Sequence, residues 1–570
     1  MGQGRFAACL AVLLLALPLP GTTRAAPAES PAPYAQRAAA LIEPYLEAGL
    51  FSGAILVARD GKPIFRRAYG LANREWGIPN GLDTRFRIAS LTKAFTAAAI
   101  LQLAEAGKLG LDDPVRRFVP DAPAIWERVT LRHLLQHSSG IINYTALPSY
   151  LPKLSRIEQS PSEIVALTTA EPLLFEPGTR FEYSNTNYVL LGMTVEAASG
   201  LPYARYLRER LIGPLGLKDT DYDDVSAILP RRASGYRRGQ AQWRNAAPTA
   251  SSVPYAAGGL YSTVDDLAAW IRALLSDKLL SPASREAMFT DGGFGYGLGW
   301  FVGKGNERRL WSHGGSIPGY LAMADIYPDE RLSVIVLANT ETAPAQKMAR
   351  ELAALQFGTL DRPEAIVLED VILDRYVGTY RVGPRYFLTI ARDGGRLIAR
   401  GTGEAPYPFL PESDRTFFSP VVDSRITFET EPDGSRTGLV LHRAGHDWTA
   451  PPVDAEEERR VLSEPPKEHR EIALDRAALA RQLGRYALAP GVVLTIGLSP
   501  RGQPYAQATG QARNAIYAEG PGAYFMKTLD AQISFAADAS GRVTGLVLRQ
   551  NGLDTPAPRL GGEEAAPKRR

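Results

Sequence analysis

The stretch Ser90-Leu91-Thr92-Lys93 opens a run of helix-favouring residues that continues to about Gly107. Ala, Leu, Ile, Gln and Glu dominate this run, and all of them are good or fair helix formers. Because positions three apart lie on one face of a helix, the Ser90 hydroxyl and the Lys93 amine are predicted to point into the same cleft. A nucleophile with a base one turn away is what serine acyl transfer requires. A serine N-cap followed by a solvated lysine would give the same four letters, so this prediction depends on the rest of the chain.

The composition is that of a globular protein with several domains. The chain has 570 residues, of which 45% are hydrophobic and 22% are charged, a length that accommodates roughly three or four domains. Lys and Arg total 64 against 61 Asp and Glu, a formal net charge of +3. A nearly neutral chain offers no electrostatic reason to bind nucleic acid. We therefore expect a small-molecule or peptide substrate and no nucleic-acid partner, while the sequence leaves the oligomeric state open.

The first 25 residues have the pattern of a secretory signal peptide. Arg5 precedes an apolar run over residues 7–17, and small residues surround Ala25 after a Pro- and Gly-containing break. We predict that residues 1–25 are removed and that the mature protein is periplasmic or secreted in a bacterium. The apolar run is short for a bilayer and no other stretch is longer, so no stable membrane span is expected. The single cysteine, Cys9, lies in this segment, and the mature protein is predicted to lack a thiol nucleophile.

A second chemical string is Tyr183-Ser184-Asn185. A tyrosine hydroxyl can relay a proton to a leaving group if a nearby cation lowers its pKa. Asn185 can contact a substrate amide and the lysine together, because its side chain has both a donor and an acceptor. The alternative is a core tyrosine in a β-turn.

A third string, His313-Gly314-Gly315-Ser316, enters an apolar segment. Glycines let a ligand approach an edge strand closely, and a backbone N–H of that strand could form an oxyanion hole with the N–H of Ser90. A glycine turn beside a surface histidine is the alternative. His133 and His137 lie four apart without a third ligand motif, so no metal and no cofactor are expected.

The order of predicted elements indicates an α+β fold in residues 34–358. Asp60-Gly61 is a two-residue hairpin signal between apolar runs. A helix is predicted from Thr130 to a stop at Gly140, a second over residues 188–199 with a stop at Gly200, and a third with its N-cap at Thr263. Residues 295–300, 311–319 and 333–339 are predicted strands, and a last helix is predicted over residues 345–356. An antiparallel sheet flanked by helices follows from this pattern.

The chain after Gly358 changes to short β-type runs and contains an internal repeat. Residues 373–380 match residues 479–486 through a shared Gly-x-Tyr, and the apolar positions that follow stay nearly in register. Each copy has alternating strands with glycine-containing turns, which predicts two small antiparallel β-barrel domains. We assign them to residues 373–448 and 473–553, with a charged linker over residues 454–471.

The three strings in this order resemble the serine β-lactamase and penicillin-binding-protein superfamily. Residues 134–140 and 295–300 are similar to the class C-like branch, which includes DD-peptidases, β-lactamase-fold esterases and D-aminopeptidases. The resemblance covers about residues 35–357. It implies a β-lactamase/transpeptidase-like domain, and the two C-terminal repeats are similar to the barrel domains of D-aminopeptidases.

The resemblance also implies roles for individual residues. Ser90 would be the acylated nucleophile, Lys93 would help to deprotonate it, and Tyr183 would act as general acid and base. Asn185 would position Lys93 and the substrate amide. The N–H groups of Ser90 and Ser316 would form the oxyanion hole, and the substrate-binding strand would comprise His313, Gly314, Gly315 and Ser316.

His313 departs from the lysine that many members carry at this place. Lysine is a fixed cation that binds a substrate carboxylate, whereas histidine is often neutral near pH 7. The expected enzyme is therefore a secreted serine hydrolase that forms an acyl-enzyme at Ser90 on peptides, amides or esters, with D-amino-acid peptides or cell-wall fragments favoured. The alternatives are a true β-lactamase, or a non-catalytic cell-wall- or peptide-binding protein that uses the same cleft.

Overall fold

The computed structural model describes residues 31–147, 150, 153–238, 242–432, 435–465, 468–509, 511, 513–527, 529–550 and 552–561. The predicted signal peptide lies outside these residues. The described chain has an N-terminal part of mixed helices and antiparallel sheets and a C-terminal part that is mainly β, so the predicted fold class is confirmed. Within the described residues, no helix is long and apolar enough to cross a membrane.

Among the described residues, thirteen strands belong to the N-terminal part. They are β1 (Gly53–Arg59), β2 (Lys62–Tyr69), β3 (Leu71–Asn73), β4 (Ile78–Pro79), β5 (Phe86–Arg87), β6 (Asp221–Tyr222), β7 (Tyr236–Arg238), β8 (Trp243–Asn245), β9 (Leu260–Ser262), β10 (Phe301–Gly305), β11 (Arg308–Ile317), β12 (Tyr320–Tyr327) and β13 (Leu332–Ala338).

The helices are spread over the whole described chain. They are α1 (Pro31–Glu47), α2 (Thr92–Glu105), α3 (Leu131–Leu135), α4 (Pro161–Thr169), α5 (Asn185–Ser199), α6 (Tyr203–Leu207), α7 (Tyr255–Gly258), α8 (Val264–Leu274), α9 (Pro282–Phe289), α10 (Ala345–Phe357), α11 (Asp370–Asp374), α12 (Ala455–Ser463) and α13 (Arg476–Gln482).

A six-stranded antiparallel sheet with the order β10-β11-β12-β13-β1-β2 is the centre of the N-terminal part. The predicted hairpin joins β1 to β2, and Asp60 and Gly61 have positive φ values of 53° and 71° as a tight turn requires. β1 is buried almost throughout, because both faces of the sheet are covered by helices. Successive side chains of β1 therefore enter two different cores.

The two cores lie on opposite faces of this sheet. Ile55 and Val57 pack with α1 and α10, whereas Ala54 and Leu56 pack with α2, α5 and α8, as the two-residue period of a strand requires. α2 is buried around most of its circumference, which explains why its sequence lacks a polar stripe. Its N-terminus, where Ser90 lies, is thereby fixed between the sheet and the surrounding helices.

The C-terminal part, as far as its residues are described, contains eighteen further strands. They are β14 (Gly378–Arg381), β15 (Phe387–Asp393), β16 (Arg396–Gly401), β17 (Tyr407–Pro411), β18 (Thr416–Phe418), β19 (Ser424–Thr430), β20 (Arg436–Arg443), β21 (His446–Ala450), β22 (Pro452–Val453), β23 (Gly484–Ala489), β24 (Val492–Leu498), β25 (Pro504–Ala508), β26 (Asn514–Ala515), β27 (Tyr517–Gly520), β28 (Ala523–Phe525), β29 (Ala531–Ala537), β30 (Val543–Gln550) and β31 (Leu553–Pro558).

Strands β14–β22 form one nine-stranded antiparallel sheet that is nearly closed, because β22 pairs with β14 while following β21 in the chain. The second repeat divides into a four-stranded sheet, β23–β26, and a five-stranded sheet, β27–β31. A bridge between Tyr486 and Arg559 links the two. Each repeat has its own hydrophobic core.

The two repeat copies have similar local structure at their Gly-x-Tyr positions. Gly378 and Gly484 have nearly the same φ, 151° and 150°. The hydroxyl of Tyr380 donates to Tyr376 O at 2.9 Å, and that of Tyr486 donates to Gln482 O at 2.6 Å, four residues earlier in each case. The two copies therefore use one buried tyrosine in the same way to begin their sheets.

Two local predictions are wrong. Residues 295–300 form a looped segment rather than a strand, because Gly295 and Gly299 have φ values of 74° and 82° and Gly297 N donates to Trp300 O at 2.8 Å. The helix predicted to reach residue 140 ends at Leu135, and His137 adopts a φ of 55°. Both departures bring backbone and aromatic groups to the cleft described next.

Candidate active site

Ser90 lies in a tight turn at the start of α2. The chain enters from β5, Ile88 N donates to Leu260 O at 3.0 Å, and residues Ala89–Leu91 form a single 3₁₀ turn. Ala89 has a φ of 45°, a left-handed conformation that is strained for alanine. This turn places Ser90 at the helix N-terminus, where the backbone dipole favours negative charge.

Lys93 is completely buried one turn after Ser90. Its Nζ lies 3.1 Å from Ser90 Oγ, 2.8 Å from Asn185 Oδ1 and 2.8 Å from Ala257 O. Burial lowers the pKa of Lys93 well below its usual value. A neutral amine has two N–H donors and one lone pair, and the two carbonyl oxygens can only accept. In its neutral form the amine can donate to the two carbonyl oxygens and present its lone pair to the hydroxyl of Ser90, which is the arrangement a general base requires.

Tyr183 lies beside both of these residues. Its ring centroid is 4.8 Å from Lys93 Nζ, and its hydroxyl shares a hydrogen bond with Ser90. Burial raises the pKa of Tyr183, and the bond with Ser90 offsets only part of this rise. The condition that a nearby cation lowers this pKa is not met, because burial is the larger influence on Tyr183. Tyr183 is a protonated phenol in this structure, suited to donating a proton.

Asn185 begins α5 and is oriented by contacts on both ends of its amide. Its Oδ1 accepts from Lys93, and its Nδ2 donates to Thr145 Oγ1 at 3.2 Å. Its backbone N–H donates to Asn143 Oδ1 at 3.1 Å. The second proton of the Nδ2 group has capacity for a further acceptor, which suits the predicted contact with a substrate amide.

His313 is 2% exposed and is held in one neutral form. Its Nδ1 lies 2.6 Å from Gly314 O, which can only accept, so Nδ1 carries the proton. Nε2 then accepts from the hydroxyl of Tyr296 at 3.0 Å. Burial and the nearby Lys93 lower the pKa of His313 to about 3. This position therefore supplies no cation at neutral pH.

Gly315 is required where β11 meets the turn of Ser90. A Cβ at this position would lie 2.1 Å from Ile88 O and 3.0 Å from Ser90 N, so a larger residue would displace the strand. β10 pairs with β11 only up to Ser312. Beyond it, Ser316 lines the same cavity as Ser90, an arrangement that suits an oxyanion hole between their N–H groups.

The cavity at Ser90 has a volume of about 410 Å³. Asn185 and Ser316 line it near the nucleophile, and Tyr144 and Tyr150 form an aromatic wall. Among its lining residues in the described chain, Glu341 is the one with a charged side chain. Gly319 N donates to Glu341 Oε2 at 3.3 Å. The described residues contain no group of three His, Cys, Asp or Glu side chains that could hold a metal ion.

Sequence reasoning missed three residues of this site: His137, Glu341 and Tyr296. Ser184 N donates to His137 Nδ1 at 3.1 Å, and Glu182 N donates to His137 O at 2.8 Å, so His137 holds the segment that carries Tyr183. Its place beside Ser138-Ser139-Gly140 in the sequence was the available signal. The structure brings all eight predicted site residues to one region, and their catalytic and binding roles stay predictions.

A serine beside a buried lysine, next to a strand at the edge of an antiparallel sheet, is typical of serine hydrolases of the β-lactamase and penicillin-binding-protein type. Residues 38–357 match the Beta-lactamase family, and the chain belongs to this family. Residues 362–460 match a domain of unknown function, DUF3471.

Individual relatives extend over different parts of the chain. Penicillin-binding protein 4* of Bacillus subtilis (strain 168) is 29% identical over 443 residues, which cover 72% of this chain and 97% of that protein. The octameric penicillin-binding protein homologue from Pyrococcus abyssi is 27% identical with a TM-score of 0.55, over 73% of this chain and 99% of that one. D-amino acid amidase from Ochrobactrum anthropi SV3 is 25% identical with a TM-score of 0.51, over 58% and 98%.

Proposed function

We propose that this enzyme hydrolyses amides and esters of D-amino acids, including amino-terminal D-residues of peptides, through an acyl-enzyme at Ser90. The observation that carries the proposal is the environment of Lys93, whose Nζ lies 3.1 Å from Ser90 Oγ and 2.8 Å from each of two carbonyl oxygens, so that a neutral amine there can present its lone pair to Ser90. A receptor for cell-wall fragments would need no such base, which argues against the non-catalytic alternative.

Acylation begins when Ser90 Oγ attacks the substrate carbonyl and its proton passes to Lys93 Nζ. The carbonyl oxygen becomes an oxyanion between the N–H groups of Ser90 and Ser316, donors of a kind typically worth about 3–4 kcal/mol in the transition state. Tyr183 donates its proton to the leaving amine or alkoxide as the bond to the carbonyl carbon breaks. The products of this step are the acyl-Ser90 ester, an ammonium at Lys93 and a phenolate at Tyr183.

Deacylation returns Lys93 and Tyr183 to their starting protonation states. The Tyr183 phenolate takes a proton from water, and the resulting hydroxide attacks the acyl carbon. As the ester bond breaks, the Lys93 ammonium returns its proton to Ser90 Oγ. The free acid leaves, and Lys93 and Tyr183 recover their starting protonation states.

The charges around the cavity support a substrate with a protonated amine. His313 is neutral, so a carboxylate next to the scissile bond has no cationic partner there, whereas Glu341 offers a carboxylate to an ammonium group. The D-configuration is supported by the likeness to the D-amino acid amidase and by the sequence resemblance to D-aminopeptidases. We also propose a periplasmic or secreted location, which the pattern of residues 1–25 supports.

An acylating fluorophosphonate probe with intact-mass detection tests the chemistry. We expect one adduct on the wild type and none on Ser90→Ala. Absence of an adduct on the wild type, or an equal adduct on the variant, would reject the acyl-enzyme.

The substrate class is tested with D-alanine p-nitroanilide, its N-acetyl derivative, its L-enantiomer and nitrocefin. We expect the free D-amine to be hydrolysed fastest and nitrocefin slowest. In Glu341→Gln, kcat/KM for the free amine should fall about tenfold, because a charge-assisted contact is lost, with little change for the N-acetyl compound. Faster nitrocefin than anilide turnover would favour a true β-lactamase instead.

A further inference from the structure

The second C-terminal repeat contacts the segment that carries Tyr183. The carboxylate of Glu182 is 9% exposed, and Gln507 Nε2 lies 3.1 Å from each of its oxygens. Arg513 donates to Glu182 Oε2 at 3.1 Å. We name these three residues the Glu182 cluster. It joins side chains that are more than 300 residues apart in the sequence.

The cluster lies behind the active site. Side chains of adjacent residues in an extended segment point to opposite sides, so Tyr183 faces Ser90 while Glu182 faces strand β25 and the segment that follows it. The backbone N–H groups on either side of Tyr183, those of Glu182 and Ser184, both bind His137. The position of the Tyr183 ring is thus set by His137 from one side and by the Glu182 cluster from the other.

The partners of Glu182 are themselves held in place. The guanidinium of Arg513 lies 4.5 Å from the ring centroid of Tyr505, and Gln507 Nε2 also donates to Gln511 O at 3.0 Å. The ion pair through Arg513 Nη2 and the amide of Gln507, which contacts both oxygens, constrain the Glu182 carboxylate in direction as well as in distance. Without Arg513 the buried carboxylate loses its cationic partner, and without Gln507 it loses the donor that contacts both of its oxygens. Either loss lets Glu182 shift, and Tyr183 is the next residue in the chain.

We propose that Gln507 and Arg513 are positioning residues of the active site, which act through Glu182 to hold Tyr183 against Ser90. The second C-terminal repeat is then part of the catalytic apparatus rather than a spacer. This inference rests on the proposed role of Tyr183 as the proton donor of acylation.

The chain offers a matched control in a second contact between the same two parts. Arg501 Nε lies 3.1 Å from Glu171 Oε2, and its Nη2 donates to Ala170 O at 2.9 Å. Ala170 and Glu171 directly follow α4 and do not belong to the Tyr183 segment. Arg501→Ala therefore removes an ion pair between the repeat and the N-terminal part without touching the Glu182 cluster.

The experiment measures ester hydrolysis and fluorophosphonate acylation for the full chain and its variants Arg513→Ala, Gln507→Ala, Arg513→Lys and Arg501→Ala. We expect kcat to fall roughly 10- to 100-fold in the two cluster alanine variants, as misplacement of a catalytic group by about 1 Å would cause. KM should stay within about twofold, because the substrate contacts remain. Arg513→Lys should recover part of the rate, and Arg501→Ala should match the wild type.

A double-mutant cycle separates positioning from general destabilisation. In a Tyr183→Phe background the proton donor is absent, so Arg513→Ala should lower the residual acylation rate by less than about twofold. An equal loss in both backgrounds, or an equal loss in Arg501→Ala, would overturn the inference. Wild-type rates in Arg513→Ala would also overturn it while leaving the acyl-enzyme intact, whereas an unreactive wild type would reject the proposed function itself.

Discussion

Replacing His313 with lysine is the most informative test of the electrostatics of this site. His313→Lys introduces the residue that many related enzymes carry at this position. If the identity of this one residue decided the choice of substrate, the variant would be acylated by penicillins. The structure predicts a different result, because His313 lies 2% exposed between the hydroxyl of Tyr296 and the Gly314 carbonyl.

The free-energy cost of a cation at position 313 follows from the pKa of His313. Burial and Lys93 lower it from 6.5 to about 3, and one pKa unit corresponds to about 1.36 kcal/mol. Holding a cation at this position therefore costs about 5 kcal/mol relative to water. The same cost would bring the pKa of an introduced amine from about 10.4 to about 7, so at pH 8 most molecules of His313→Lys would carry no ammonium there.

The assay compares wild type, His313→Lys and His313→Gln at pH 8 by penicillin acylation, ester hydrolysis and thermal unfolding. For His313→Lys we expect less than about a threefold gain in penicillin acylation and a loss of about 2–3 kcal/mol in the free energy of unfolding. His313→Gln is the neutral control, since an amide can both donate and accept. A His313→Lys variant with unchanged stability and more than about tenfold faster penicillin acylation would refute the reasoning.

Three further predictions follow from the same geometry. Lys93→Met should lower kcat for ester hydrolysis by about 10²–10⁴-fold, the usual contribution of a general base. The melting temperature should not fall, because an apolar chain of similar length replaces a buried amine. A large loss of stability would contradict this prediction. Gly315→Ala should lower kcat about 10²-fold, because its Cβ would lie 2.1 Å from Ile88 O. Gly314→Ala is the matched control in the same kinetic assay, since its Cβ would meet the flexible Met323 Sδ at 3.3 Å. Because the pKa of His313 is lowered, this histidine is protonated below pH 6.5 in the unfolded chain but only below about pH 3 in the folded chain. The stability that His313 contributes is therefore present above pH 6.5 and is lost as the pH falls. The decrease in urea-measured stability between pH 7 and pH 4 should accordingly be smaller in His313→Gln than in the wild type.

The sequence predicts those parts of the fold that depend on local residue patterns. The hairpin at Asp60-Gly61, the N-cap at Thr263 and the end of α5 at Gly200 all depend on residues within one turn of the feature, and all three are present. The repeat was detectable in the sequence because both copies require a glycine with the same backbone conformation, Gly378 or Gly484, and a buried tyrosine two residues later. Local rules therefore sufficed for most elements.

The rest of the site depends on contacts between distant residues. No period in the sequence indicates that Gln507 and Arg513 will meet Glu182, or that Glu341 will line the cavity of Ser90. The protonation states of the site residues could not be predicted from the sequence either, since the pKa of Tyr183 depends on how much protein surrounds its hydroxyl. Residues 295–300 were mistaken for a strand because their glycines have positive φ, which composition does not reveal.

Three basic side chains lie together in this site, and burial disfavours the charged form of each of them. Burial lowers the pKa of Lys93, of His137 and of His313, and in the two histidines the nearby Lys93 lowers it further. Of the three, Lys93 is the one whose nitrogen reaches Ser90 Oγ, so it alone can receive the proton during acylation. A permanent cation at position 313 would oppose the ammonium that forms on Lys93, whereas a neutral histidine does not. An enzyme built in this way can acylate a substrate that has no carboxylate to balance a second positive charge, and this is the electrostatic reason to expect amides and esters with a free amine as its substrates.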